Sequence, residues 1–388
     1  MSKLICAQCR KVFDNVDGNH CPVAHHHTVY DFEKSDRFLE EKVRLAKEER
    51  ISLNLDGLVS DLNSIIINVE TENLSSAVEE FIKFTGYKLV ESFDNDEFTT
   101  VILKLAGSAD ILVRARKFGE NPFYLYNLNP KSEYLPNTRL ETFVFESSDL
   151  AKYYAIKQEQ DQQFMSDAII EYDNYYFIQT KPSKYVNISY GIIQWKAAKR
   201  AYKCQTDLNF KLEIELTKPS YLKNIGYFDH AATRVRANDR DAAIIEFMKI
   251  TNYDFSIAIY VKGSNSITNV ARFTGPSFAM VFTSGIVPFR GLEESGPTEN
   301  YIYNYGTRTH HLAFITENIE DTYDRLHKDG MEYLVELVGS PQQGLKQTFT
   351  QASPSTLIVN EYIHRYGDFK GFFTKDNVTK LTESTNLQ

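Results

Sequence analysis

The spacing of hydrophobic and polar residues predicts a chain of short strands and single helices in a repeating order. Residues 64–69 are rich in β-branched side chains, which favours a strand, and a segment with apolar residues at helical spacing follows them. Further short strands come next. The same order begins again near residues 142, 230 and 311. We therefore predict an α+β fold of four modules, each a strand and a helix followed by further strands, with two modules in each half of the chain.

The chain also repeats itself in its letters. Glu80–Tyr87 reads EFIKFTGY, and Glu246–Tyr253 reads EFMKITNY. Such self-similarity indicates a duplication. On this basis we predict four parts in chain order, which are residues 1–30, a solvent-exposed connecting helix within 31–58, and two domains over 59–215 and 216–388.

A carboxylate interrupts the apolar face of the last predicted strand, residues 355–365. Alternate side chains of a strand share a face, so Glu361 lies in a row with Val359, Ile363 and Arg365. Burying a carboxylate costs free energy unless it pairs with an arginine, shares a proton or binds a metal ion. A buried Glu–Arg pair is the simplest of these explanations, and the strand alone leaves it open.

Potential metal ligands distinguish the second half of the chain from the first. By the repeat, the residues that correspond to His230, His311 and Glu361 are Ser64, Thr142 and Ser189. The scaffold therefore does not need these ligands, which favours a functional site. Two imidazoles and one carboxylate can occupy one face of an octahedral metal and leave three positions open, as in non-haem Fe(II) oxygenases. We predict Fe(II) at this site, and we expect His310 to face away from it.

A second group of potential ligands lies at the start of the chain. Cys6 and Cys9 form a CxxC pair, Cys21 follows, and His25 and His26 come shortly after it. This is the ligand spacing of structural zinc sites. We predict zinc bound by the three cysteines and His25 or His26. A flexible leader is the alternative, and three consecutive histidines can also be an engineered feature.

Composition excludes several classes of partner. The net charge is −9, with 43 Lys and Arg against 52 Asp and Glu, so a basic groove for nucleic acid is not expected. No apolar run is long enough to span a membrane, and the N-terminus lacks the apolar region of a signal peptide. We expect a cytoplasmic protein with well-filled cores. The sequence leaves open whether the protein forms a homo-oligomer.

The second half contains five short motifs in chain order, which are Asp229-His230, His311-Leu-Ala-Phe-Ile-Thr-Glu-Asn-Ile319, Gln347-Thr-Phe-Thr350, Glu361-Tyr-Ile-His-Arg365 and Lys370-Gly-Phe372. With these motifs it resembles the 4-hydroxyphenylpyruvate dioxygenase family of the vicinal oxygen chelate superfamily. The resemblance implies four βαβββ modules paired into two open-barrel domains. The first half is similar to the metal-free domain of that family only in its modular order. The cysteine-rich leader lies outside the resemblance.

The resemblance implies a function. His230, His311 and Glu361 would hold Fe(II), and the substrates would be dioxygen and an aryl 2-oxo acid, with 4-hydroxyphenylpyruvate converted to homogentisate by oxidative decarboxylation and hydroxylation. The substrate contacts it implies are Gln347, Phe349, Ser284, Phe372 and Val378. Ser284 and Val378 replace an Asn and a Phe of the family. The alternatives are therefore a mandelate-type hydroxylation, oxidation of an aliphatic 2-oxo acid, or a non-enzymatic binding or regulatory role.

We predict that protein purified without a chelator contains zinc. The substitutions Cys6→Ser and Cys9→Ser together should remove the zinc, because two of the four ligands are then lost. Elemental analysis of the two proteins checks this, with iron measured in the same samples as an internal control. Absence of zinc from the unsubstituted protein would contradict the prediction.

Overall fold

The computed structural model describes residues 3–5, 12–14, 32–198, 200–214, 219–273 and 277–388. At the start of the chain, Lys3–Ile5 (β1) pairs antiparallel with Val12–Asp14 (β2). The predicted zinc ligands Cys6, Cys9, Cys21, His25 and His26 lie outside the described residues, so zinc binding stays a prediction. Within the described residues, no helix has both the length and the apolar character needed to cross a membrane.

A long helix, Phe32–Ser52 (α1), precedes the first module. The expectation of a solvent-exposed helix is wrong for part of its surface, because Leu39 and Ala46 belong to the main hydrophobic core. Near the end of α1, the Arg50 guanidinium donates to the Asp254 carboxylate at 2.9 Å. The apolar stripe of the helix is thin, as the sequence indicates, and ion pairs complete its docking on the second half.

Each half of the chain contains two βαβββ modules, which confirms the predicted fold class. The first module comprises Val59–Val69 (β3), Leu74–Phe84 (α2), Lys88–Asp94 (β4), Phe98–Lys104 (β5) and Asp110–Arg116 (β6). The second comprises Arg139–Ser147 (β7), Leu150–Glu159 (α3), Ile170–Glu171 (β8), Tyr175–Gln179 (β9) and Ser189–Trp195 (β10), and the short strand Leu208–Asn209 (β11) follows it.

The second half has the same arrangement with two extra helices. Its first module comprises Ile225–Arg234 (β12), Arg240–Ile250 (α4), Asp254–Val261 (β13), Ser266–Arg272 (β14) and Ala279–Ser284 (β15), and Gly296–Tyr305 (α5) follows it. The last module comprises Thr309–Thr316 (β16), Ile319–Lys328 (α6), Tyr333–Ser340 (β17), Leu345–Thr350 (β18) and Val359–Arg365 (β19), and Lys375–Ser384 (α7) follows it.

The strands form one curled sheet in each half. Their orders are β11-β4-β5-β6-β3-β7-β10-β9-β8 and β13-β14-β15-β12-β16-β19-β18-β17. The first and last strands of a module pair in parallel, and the first strands of the two modules pair antiparallel. This pairing joins two modules into one half-barrel, so each half of the chain has a concave interior of its own.

A single hydrophobic core joins the helix-bearing faces of the two sheets. In it, the Phe247 ring of α4 lies 5.8 Å from the Phe145 ring of β7 and 5.6 Å from the Tyr190 ring of β10, measured between centroids. The interiors of the half-barrels have separate, smaller clusters. The two halves therefore stabilise each other through their outer faces, and each interior can differ without disturbing this core.

The repeated letters mark the same helix ending in both halves. In the first, the Thr85 hydroxyl donates to the Phe81 carbonyl at 2.5 Å and accepts from the Tyr87 amide at 3.2 Å. Thr251 makes the same two bonds at the end of α4. The conserved pattern within the chain thus serves helix capping, not chemistry.

Strand register tests how the two halves correspond at the predicted metal ligands. It confirms that Ser64 corresponds to His230, because each lies at the equivalent point of the antiparallel pairing at the centre of its sheet. It likewise confirms that Thr142 corresponds to His311. Both ligand positions are therefore filled by small hydroxyl residues in the first half.

The third predicted correspondence is wrong by two residues. When the last strand of each half, β10 or β19, is aligned by its parallel pairing with β7 or β16, Glu361 corresponds to Gly191 and not to Ser189. The loops before the two strands agree with this alignment, since Asn187 and Leu357 share a left-handed backbone with φ of 55° and 58°. Ser189 and Glu361 are each followed by a tyrosine, and the sequence match aligned these two tyrosines although their positions are not equivalent.

Side-chain packing closes the first half-barrel where the second one holds a carboxylate. A Cβ added at Gly191 would lie 2.8 Å from Cε2 of Phe177 and 3.1 Å from Cγ2 of Val144. Phe177 occupies the position that corresponds to Gln347 in the second half. The first interior therefore has an aromatic ring in the space where the second has polar side chains.

We predict that Gly191→Ala lowers the free energy of unfolding by about 1–3 kcal/mol, because the new methyl group overpacks against Phe177. Shortening that ring with Phe177→Leu in the same chain should recover part of the loss. Urea unfolding measures both. Gly263→Ala is the control, since nothing lies within 4 Å of an added Cβ there. Equal stability of Gly191→Ala and the unsubstituted protein would contradict the packing account.

Candidate metal centre

Three potential ligands converge inside the second half-barrel. His230 lies on β12, His311 on β16 and Glu361 on β19, which are neighbouring strands of the sheet. The Glu361 Oε2 atom lies 3.1 Å from Nε2 of His230 and 3.2 Å from Nε2 of His311. One ligand atom from each residue lies within 4.8 Å of the others, and all three residues are buried. The structure thus brings together the three residues that the sequence predicts as iron ligands.

An outer carboxylate orients His230. Its Nδ1 lies 2.7 Å from Oδ2 of Asp229, and both Asp229 oxygens accept from the Arg365 guanidinium, at 2.7 and 3.0 Å. This arrangement directs Nε2 of the ring towards Glu361, as it does in metal sites where a carboxylate holds the far nitrogen of a histidine ligand. Arg365 therefore pairs with Asp229, and the buried pair between Glu361 and an arginine that the sequence left open does not form.

A second histidine orients His311. The Nδ1 atoms of His311 and His310 lie 2.9 Å apart, and Nε2 of His310 lies 2.8 Å from Oε1 of Gln388. When His311 carries its proton on Nδ1, it donates to His310, which in turn donates to Gln388. The expectation that His310 faces away is wrong, because a β-bulge in β16 opposite β12 breaks the alternation of side chains at this residue.

The two imidazoles differ in charge although both are buried. For His230, burial favours the neutral ring, but the carboxylates of Glu361 and Asp229 outweigh it and raise the pKa to about 9. For His311, burial and the neighbouring rings of His310 and His230 hold the pKa well below its usual range. A proton on His230 therefore balances the buried carboxylates in the metal-free protein. A divalent cation among the same three ligands would take over that role.

A glutamine holds the other oxygen of Glu361. Gln347 Nε2 donates to Oε1 of Glu361 at 2.5 Å, and Oε1 of Gln347 accepts from the Asn377 amide on α7 at 3.0 Å. Oε2 of Glu361 is thereby left facing the two imidazoles. The glutamine predicted to contact substrate is thus bonded to a metal ligand, and it connects that ligand to α7.

A partly open pocket adjoins two of the three candidate ligands, His311 and Glu361, which are among its lining residues. Three of the predicted substrate contacts line it, namely Gln347, Phe349 and Val378. The Phe349 ring centroid lies 4.6 Å from that of His311. The pocket is therefore continuous with the candidate metal centre and has an apolar wall beside it.

Two predicted substrate contacts lie outside the lining of this pocket. Ser284 is fully buried, and Thr283 lines the pocket in its place, because successive residues of β15 face opposite sides of the sheet. Phe372 packs in a small apolar cluster with its ring 5.5 Å from that of His230, and Phe373 forms the pocket wall. In both cases the residue that lines the pocket is the sequence neighbour of the predicted contact.

Sequence reasoning missed one charged residue of the pocket. Arg234 is buried on β12 and lines the same cavity as His311 and Glu361. It lies on the face of the strand that carries His230, four residues further along. The period of two along this strand is the signal that could have found it.

Comparison with known proteins supports the fold. No family model and no curated protein matches the chain. A triple mutant of 4-hydroxymandelate synthase from Streptomyces coelicolor superimposes with a TM-score of 0.62 at 13% identity, covering 84% of this chain and 98% of that one. A xylose isomerase-like TIM barrel/4-hydroxyphenylpyruvate dioxygenase fusion protein gives 0.60 at 12% identity, covering 90% of this chain and 58% of that one. The chain therefore has the vicinal oxygen chelate fold, with its candidate metal centre in the second half.

Proposed function

We propose that the protein is an Fe(II)-dependent dioxygenase that acts on a 2-oxo acid. The observation that carries the proposal is the convergence of His230, His311 and Glu361 beside a pocket. Two neutral nitrogens and one anionic oxygen are the ligand set of non-haem Fe(II) oxygenases, and they leave positions open for substrate and dioxygen. The likeness in fold to 4-hydroxymandelate synthase and to a 4-hydroxyphenylpyruvate dioxygenase fusion is compatible with this class.

Bound at this site, Fe(II) would supply the redox chemistry for dioxygen activation and for decarboxylation of the 2-oxo acid. The chain's own residues set the geometry. Asp229 and His310 hold the two imidazoles by their Nδ1 atoms, and Gln347 holds the far oxygen of Glu361. These bonds pre-orient the ligands, and their burial limits competition from water.

Within this class, an aryl 2-oxo acid is the substrate type that we propose to test first, with 4-hydroxyphenylpyruvate and its product homogentisate as reference compounds. Phe349 and Phe373 offer apolar surfaces against which an aromatic ring could pack with an offset. Val378 leaves more room than an aromatic side chain would. Benzylic hydroxylation to a mandelate and oxidation of an aliphatic 2-oxo acid use the same ligands and remain alternative reactions.

We predict that Glu361→Gln folds but binds Fe(II) more weakly, because the anionic ligand is lost. Asp229→Asn should weaken iron binding roughly 10–100-fold through the orientation of His230. Competition with a chromophoric chelator under anaerobic conditions measures both affinities. Glu79→Gln, at an exposed position of α2, is the matched control. Unchanged iron occupancy in both Glu361→Ala and His311→Ala would rule out the site.

We predict that the iron-loaded protein consumes dioxygen with a 2-oxo acid, and that Glu361→Ala does not. An oxygen electrode and product analysis by chromatography test 4-hydroxyphenylpyruvate, phenylpyruvate and aliphatic 2-oxo acids side by side. Homogentisate supports the reference reaction, and a mandelate supports benzylic hydroxylation. Turnover of aliphatic compounds alone would contradict the aryl assignment. No uptake with any 2-oxo acid would contradict the enzyme and favour a binding or regulatory protein.

A further inference from the structure

Arg234 places a positive charge in the pocket without a carboxylate beside it. The side chain is 3% exposed. Its Nη1 donates to the hydroxyls of Thr283 and Thr298 at 3.1 and 3.3 Å, and its Nη2 donates to that of Thr385 at 2.9 Å. These acceptors are neutral, and the Nε–H of Arg234 has no acceptor at all. Among the residues that the structure describes, no aspartate or glutamate forms an ion pair with this guanidinium.

The charge of Arg234 persists at neutral pH. Burial lowers the pKa of the guanidinium to about 10, which is still well above 7. Burying an ion without a counter-ion is costly to a fold. The neutral cradle of hydroxyls, together with the Tyr301 ring 5.6 Å away, does not supply the missing negative charge. If this side chain had only a structural role, a neutral residue could fill it with a smaller free-energy cost of burial.

The surroundings of Arg234 increase the positive potential. Arg139 and Arg308 are also buried beside Tyr301, and neither forms an ion pair in the described part of the chain. Arg139 donates to backbone carbonyls and to a side-chain amide, and Nη1 of Arg308 has no partner. By contrast, Arg365 on the other side of the metal centre is matched by Asp229. This end of the pocket therefore favours an anion.

We infer that the substrate carries a second anionic group at the end remote from its 2-oxo acid, and that Arg234 binds this group. The inference deepens the proposed function, on which it relies for the chelating end of the substrate. Nη2 of Arg234 lies 3.5 Å from Nδ1 of His310, which in turn contacts His311. Arg234 lines one cavity together with His311 and Glu361, so we expect a single small molecule to reach both the guanidinium and these metal ligands.

The charge balance of the site agrees with a dianion. A divalent iron and the Glu361 carboxylate leave one positive charge, which the carboxylate of a 2-oxo acid neutralises. Arg234 adds a further positive charge, while Asp229 and Arg365 cancel each other. The class that meets these demands is a 2-oxo dicarboxylate or an arylpyruvate with an acidic ring substituent. 4-Hydroxyphenylpyruvate, with a neutral phenol, would leave Arg234 without a counter-ion.

Matched pairs of ligands test the inference by isothermal titration calorimetry under anaerobic conditions. The first pair is 2-oxoglutarate and 2-oxopentanoate, and the second is 4-carboxyphenylpyruvate and phenylpyruvate, both with Fe(II)-loaded protein. A third pair, glutarate and pentanoate, is titrated into metal-free protein. In at least one of the two 2-oxo acid pairs, the dianion should bind at least tenfold more tightly. The third pair should show a preference of the same sign.

Variants assign the preference to Arg234. Arg234→Gln should abolish this preference, which is a loss of at least about tenfold in affinity for the dianion that binds best. Arg234→Lys keeps the charge without the planar fork and should retain part of it, which guards against a variant that simply fails to fold. Arg325→Gln, at a half-exposed ion pair on α6, is the control and should leave all affinities unchanged.

The outcomes separate the inference from the proposed function. If the members of each 2-oxo acid pair bind equally, or if the preference survives Arg234→Gln, the inference is wrong and 2-oxo acid binding stands. If no 2-oxo acid binds the iron-loaded protein but glutarate binds the metal-free protein through Arg234, the anion site stands and the proposed function is wrong. If none of the six compounds binds, both are contradicted.

Discussion

Burial of the Glu361 carboxylate is the constraint on which the second half of the protein depends. In the interior of a half-barrel this charge needs several partners at once, and neighbouring strands supply them. His230 and His311 face one of its oxygens, and Gln347 donates to the other. Each partner is in turn held from outside, His230 by the carboxylate of Asp229. A divalent cation at the centre of this network would replace the proton that His230 otherwise keeps.

The first half of the chain indicates what the fold requires without a ligand. It has the same modules, the same strand pairing and the same threonine bonds at the end of its first module's helix, α2, so none of these depends on metal. Its interior is occupied by Phe177, which packs over Gly191. The second half has a carboxylate and an amide at the two corresponding positions. The scaffold is therefore stabilised through the outer faces of its sheets, and this leaves one interior free to hold polar groups.

The sequence was sufficient for the order of the modules and for the choice of the three candidate ligands, because both follow from periodicity and from the internal repeat. It was insufficient where the exact strand register determines which residue faces the site. A bulge redirects His310, and a shift of one residue exchanges Ser284 for Thr283 at the pocket. The two-residue period of β12 would have placed Arg234 on the same face of the strand as His230. Its importance, however, depends on the absence of a carboxylate partner, and such partners come from distant parts of the chain that only the folded structure brings together.

We propose that His230, His311 and Glu361 hold an iron ion to which a 2-oxo acid binds as a chelate. Anaerobic titration of the Fe(II)-loaded protein, followed by visible absorption, tests it most directly. We predict a metal-to-ligand charge-transfer band that saturates at one 2-oxo acid per chain and is missing when Glu361 or His311 is replaced by alanine. Failure to bind Fe(II), or an iron-loaded protein that develops no such band with any aryl, aliphatic or dianionic 2-oxo acid, would contradict the account.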